Sequence, residues 1–162
     1  MNKRLMAGVM MLAAMVLGVT MAVAQMPNPY GAPIGVEAAK KVAAPAIAEA
    51  VKNKWTVAVA IVDPSGVLVY YEKMDNTQVG SADIAIEKAR TAAEFKRPTK
   101  ALQDTVAAGG AGLRVLGLRG LTPVEGGIPL LIDGKIVGAI GVSGMASDQD
   151  SQCAKAGADS LH

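Results

Sequence analysis

Between Val36 and Lys54 apolar residues recur at three- and four-residue intervals, through Val36, Ala39, Val42, Ala43, Ala46, Ile47, Ala50 and Val51, with Lys40, Lys41, Glu49 and Lys52 between them. That spacing predicts an amphipathic helix. Pro45 should bend it, because proline removes a backbone donor and crowds the carbonyl one turn earlier. The period then changes to that of strands. Thr56 to Asp63 is rich in β-branched residues, stops at Pro64, Ser65 and Gly66, and resumes as Val67 to Lys73, which predicts a hairpin. Gly80 to Phe95 returns to helical spacing through Ile84, Ala85, Lys88, Ala89, Ala92 and Phe95, with Ser81 and Asp83 placed to satisfy its first free amides. Pro98 ends that helix, and Thr99 to Ala108 reads as a short second one.

Gly109 to Gly127 is glycine-rich and predicts a loop with one irregular strand. Ile128 to Ile132 and Lys135 to Val142 flank Asp133 and Gly134, a pair suited to the positive dihedrals of a tight hairpin turn. Ser147 to Ser160 closes the pattern as a helix. Hairpins separated by helices argue for an α+β fold: one antiparallel sheet of about five strands with helices packed on it. No linker, repeat or charge block divides the chain, so a single domain over residues 34–162 is expected.

The first 24 residues have a different character. Lys3 and Arg4 precede an uncharged apolar run from Leu5 to Thr20, and Ala22, Val23 and Ala24 supply the small-x-small pattern of a signal-peptidase site. A cleaved secretory signal and a periplasmic or secreted product are therefore expected, with no stable membrane insertion after cleavage. Residues 25–33 hold Pro27, Pro29, Gly31 and Pro33 and predict an extended arm. Without Lys3 and Arg4 the sixteen basic residues become fourteen, equal to the fourteen acidic ones. A neutral product has no broad basic face for nucleic acid.

Several chemistries lack material. Cys153 is the single cysteine, which excludes an internal disulfide or a CxxC site and suggests a buried thiol. His162 is the only histidine and lies at the end of the sequence, so a Ser/His/Asp triad around Ser143 and a histidine-based metal site both fail. Asp148 and Asp150 read as a helix cap and a solvated face. Gly110, Gly112 and Gly117 have the wrong spacing and context for a dinucleotide loop.

A series of short segments does form a pattern: Val59 to Gly66 (VAIVDPSG), Met74 and Asp75, Lys88 to Ala92 (KARTA), Glu125 to Pro129 (EGGIP), Asp133 and Gly134, and Val137 to Gly144 (VGAIGVSG). In this order the chain resembles the GlcG/HbpS-like, or haem-degrading domain, family, which is similar to the C-terminal domain of PduO-type cobalamin adenosyltransferases. The resemblance spans Ile34 to Leu161. It implies an antiparallel α/β domain, assembly into homo-oligomers, and haem or a related tetrapyrrole as ligand and partner. On that resemblance the candidate ligand-binding residues are Met74, Asp75, Lys88, Arg90, Thr91, Phe95, Glu125, Gly126, Gly127 and Pro129. Lys88 or Arg90 would meet a propionate and Phe95 would stack on the ring.

The glycines also have a structural reading, as turns and close backbone approaches. With no histidine inside the domain, an iron ligand would come from Met74, Met145, Tyr70, Tyr71 or a lysine. Haem degradation needs a redox partner or an oxygen pocket, which no residue pattern supplies, so a haem-binding protein is expected. An enzyme or accessory factor acting on a small organic acid or aromatic metabolite, suggested by Lys88, Arg90 and Glu125, is the alternative. A third is a purely structural role in assembly.

Overall fold

A computed structural model describes residues 27–161. The expected signal segment and His162 lie outside them. The elements are α1 (Val36–Asn53), β1 (Ala58–Val62), β2 (Leu68–Lys73), α2 (Ser81–Glu94), α3 (Thr99–Ala107), a 3-10 segment (Gly110–Gly117), β3 (Gly127–Ile132), β4 (Lys135–Ser143) and α4 (Ser147–Ala158). The four strands make one sheet in the order β2-β1-β4-β3, with every neighbouring pair antiparallel. This is the α+β class read from the sequence, with four strands where about five were expected.

Both hairpins form for the reasons their turns contain. Asp63 accepts the amides of Ser65 and Val67 on Oδ1 at 2.8 and 3.0 Å, and Gly66 takes φ +77°. Asp133 and Gly134 both have positive φ, 49° and 71°, which is what a two-residue turn needs to match strand twist. The glycine-rich stretch differs from expectation. Its first part coils into the 3-10 segment, and the remainder runs irregularly to β3 with no additional strand. Ser81 does not cap α2 either: Gly80 is the N-cap, and the Ser81 hydroxyl accepts from Gln78 Nε2 instead.

β1 is buried along its whole length because helices cover both faces of the sheet. Val59 and Ile61 face α1 and α4 with Val42, Ala46, Ile140, Val142 and Cys153. Ala58, Ala60 and Val62 face α2, where Ala85, Ala89, Ala92 and Ala93 meet Ala139. The second interface is made almost entirely of alanine and glycine, so the α2 backbone lies close on the sheet. A Cβ at Gly141 would collide with the Ala85 carbonyl and the Ala89 nitrogen. α1 continues through Pro45, and residues 29–34 run beside the protruding end of β4, with Ile136 N donating to Pro29 O and Ile34 N to Val137 O, both 2.8 Å.

Candidate functional site

The close approach of α2 carries one polar side chain into the interior. Lys88 is 1% exposed, and its Nζ donates to Asp150 Oδ2 at 2.8 Å and to the Val142 carbonyl at 3.0 Å. Asp150, on the first turns of α4, is 2% exposed and accepts the Met145 amide on Oδ1 at 2.9 Å. The expectation of a solvated face at Asp150 is thus overturned, since α4 turns this carboxylate inward against α2. Asp148 stays exposed. Burial lowers the Lys88 pKa from the ordinary lysine value, opposed by the charges of Asp150 and Glu125. Burial also raises Asp150, opposed by Lys88 and by the amides of Met145 and Gly144. Removal from water disfavours both charges, and their mutual contact restores part of the loss.

Gly126 closes over this pair with φ +124°. A Cβ there would lie 2.9 Å from Lys88 Nζ and 2.8 Å from the Val142 carbonyl oxygen, so only glycine fits. Gly127 is equally constrained, because a Cβ would collide with the Lys88 carbonyl. Its amide donates to Thr99 Oγ1 at 2.9 Å. The Glu125 amide donates to Gln103 Oε1 at 2.8 Å, and Thr91 Oγ1 accepts from Thr122 N at 2.9 Å. Lys88, Thr91, Glu125, Gly126 and Gly127 are therefore brought together, where the segment leading to β3 is laid along α2 and α3.

The other candidates stand apart. Arg90 points to the β1–β2 turn and donates from Nε to the Gly66 carbonyl at 3.2 Å. Phe95 sits half-buried at the C-cap of α2, seven residues beyond Lys88, about 10 Å along the helix axis. Met74 follows β2 and packs partly buried against the α1/α4 cluster, while Asp75 beside it is exposed. Pro129 lies in edge strand β3, where a missing amide is tolerated, and lines a groove of about 480 Å³ with Leu131 and Leu161. An apolar cavity of about 360 Å³, lined by residues that include Pro33, Ile34, Ala38 and Val137, lies beside the arm and contains none of the candidates.

Asp150 is the residue that sequence reasoning missed. A lysine at a position facing the sheet, within a run of small apolar residues, was the signal that a buried counter-charge had to exist. Cys153 is buried as expected, and burial followed by the nearby carboxylates of Asp150 and Glu49 pushes its thiol up to about 11.

A family model described as "Haem degrading protein HbpS-like" matches residues 34–159. The chain belongs to the HbpS-like family. GlcG of Escherichia coli K12 is 43% identical over 95 residues, which cover 59% of this chain and 69% of that protein. The solved structure of a double mutant of Streptomyces reticuli HbpS aligns with a TM-score of 0.75 and 33% identity, over 82% of this chain and 89% of that one. A structure described as a PduOC:heme complex aligns with a TM-score of 0.72 and 26% identity, over 80% of this chain and 96% of that one. The HbpS-like fold is thus present across the whole alternation of helices and hairpins, and a relative of similar fold is known with haem.

Proposed function

We propose that this HbpS-like protein is an exported haem-binding protein, acting in haem handling or sensing as a homo-oligomer. The observation that carries the proposal is the likeness, over four-fifths of the chain, to a relative solved as a haem complex. Export rests on the signal pattern of residues 1–24, and a periplasmic or secreted location follows from it. No described helix is long and apolar enough to cross a membrane. Exposed apolar side chains, among them Val79, Leu113, Leu116 and Leu118, are compatible with contacts between copies.

The donor set fits haem only in part. No described histidine is available, but thioether and phenol groups that serve as axial ligands are present. When bound, haem supplies the iron and its redox and ligand-binding chemistry; the chain supplies the axial donor, an apolar surface and counter-charges. Lys88 is committed to Asp150 and does not reach a propionate at the surface. The same burial argues against Lys88 as a base for a small metabolite, because no substrate touches an amine that is 1% exposed.

The test is a hemin titration of the domain from residue 25 onward, followed by absorbance, with a globin as positive control and serum albumin as nonspecific reference. Saturable binding of one haem per chain with a shifted Soret band is expected. Weak, albumin-like binding would defeat the proposal.

A further inference from the structure

We infer that the segment from Gly110 to Val124, together with the exposed stripe of α2 beside it, is a two-fold interface on which a second copy of this chain docks. This rests on the homo-oligomer reading above and names its surface. Leu113, Leu116 and Leu118 are 50%, 60% and 49% exposed, three large apolar side chains within six residues. The 3-10 segment sets their direction, because side chains three residues apart eclipse in such a helix. Gly112 and Val115 form the inward row: a Cβ at Gly112 would collide with the Thr105 carbonyl, and Val115 is buried. Leu113 and Leu116 form the next row and stand together above the surface, with Leu118 following where the chain leaves the helix. The strap that carries this ridge is pinned. Thr122 N donates to Thr91 Oγ1 at 2.9 Å, Thr122 Oγ1 to Glu87 Oε2 at 2.8 Å, and Glu125 N to Gln103 Oε1 at 2.8 Å. An apolar ridge ordered in advance loses little freedom when it is covered.

Charge decides what covers it. Arg114 and Arg119 are the only charged residues between Asp104 and Glu125. Both are exposed, and among the described residues neither forms an ion pair. The Thr122–Glu87 bond lays the strap against α2, whose exposed stripe carries Asp83 and Glu87 one turn apart, also without a cationic partner among the described residues. Like charges at i and i+4 repel. The face therefore holds unpaired arginines and unpaired carboxylates around one apolar ridge. An anionic lipid surface, a nucleic acid or the two propionates of a haem would match the arginines and leave the carboxylates against like charge. A second copy related by a two-fold axis matches both signs. Each arginine-bearing strap then lies on the acidic stripe of the other copy, and the two leucine ridges meet between them.

The experiment measures molar mass by size exclusion with light scattering, on the haem-free protein from residue 25 onward over a range of concentrations, so that haem plays no part in the result. Leu113→Ser combined with Leu116→Ser removes the ridge at exposed positions that do not endanger folding, which circular dichroism checks. It should raise the dissociation constant about a hundredfold or more, seen as a mass reduced to half or less. Val51→Ser, at a comparably exposed valine on α1 across the sheet, should leave the mass unchanged. Two charge-reversed proteins test the pairing: Arg114→Glu with Arg119→Glu, and Asp83→Arg with Glu87→Arg. Each alone should dissociate, and an equimolar mixture should reassemble, because opposite charges then meet only in the mixed pair. If the leucine variant keeps the wild-type mass, or the mixture stays dissociated, the interface is wrong although assembly stands. If the wild type is monomeric at every concentration, the homo-oligomer reading itself fails and takes the interface with it.

Discussion

Lys88→Met is the substitution that most directly probes the buried pair. Methionine preserves the length and apolar stem of the side chain, so packing against Gly126 and Gly127 changes little. What changes is that Asp150, 2% exposed, loses the ammonium 2.8 Å away. Breaking a buried pair from one side costs about 3–5 kcal/mol, because a charge or an undersatisfied carboxyl stays behind. With an m-value of roughly 2 kcal/mol/M in urea, the unfolding midpoint should fall by about 1.5–2.5 M at neutral pH, with the slope unchanged.

The pH dependence has a definite sign. Burial holds Asp150 above its unfolded value, so its contribution is complete below that value and is lost as pH rises through the folded one. Without Lys88 that imbalance grows, and the deficit of the variant should therefore narrow as the medium is acidified and Asp150 protonates. Lys88 carries the opposite sign in the wild type: lowered by burial, its contribution is complete above the ordinary lysine value and is lost as pH falls through its folded one. Lys88→Met combined with Asp150→Leu should recover most of the loss, since a matched apolar pair needs no counter-charge. Urea titrations of the three proteins at two pH values decide the matter. A loss below about 1 kcal/mol at neutral pH, or a deficit that widens in acid, would refute the view that Asp150 depends on Lys88.

Two further outcomes follow from packing and burial. Gly141→Ala should lower stability by about 1–3 kcal/mol or more, because its methyl meets the Ala85 carbonyl and the Ala89 nitrogen and forces α2 off the sheet; thermal unfolding measures this, and an unchanged Tm would contradict the contact. Cys153, with its pKa pushed up to about 11, should resist a thiol reagent in the native protein at pH 7, where about one thiol in ten thousand is ionised. Rapid labelling before urea unfolds the chain would show that α4 opens locally.

Local chemistry made much of the architecture readable. The Asp63 turn and the Asp133-Gly134 turn form from their own residues, and the helices at Val36–Asn53, Ser81–Glu94 and Ser147–Ala158 follow the apolar period. The stretch from Gly109 was not readable, because glycine permits several conformations and the 3-10 coil there is selected by packing on α3. A Cβ at Gly112 would collide with the Thr105 carbonyl, a contact that no local pattern announces.

By itself the sequence determined the period of each element, the chemistry of both turns and the family, because these depend on neighbours a few residues apart and on the order of short motifs. Only the tertiary structure decided that Lys88 and Asp150, 62 residues apart, meet as one buried ion pair. It also separated Arg90 and Phe95 from that pair and left Met145 exposed on the turn before α4. Burial is a property of how faces meet. The same carboxylate that caps or faces water on an isolated helix becomes an interior charge once α4 and α2 close on the sheet from opposite sides.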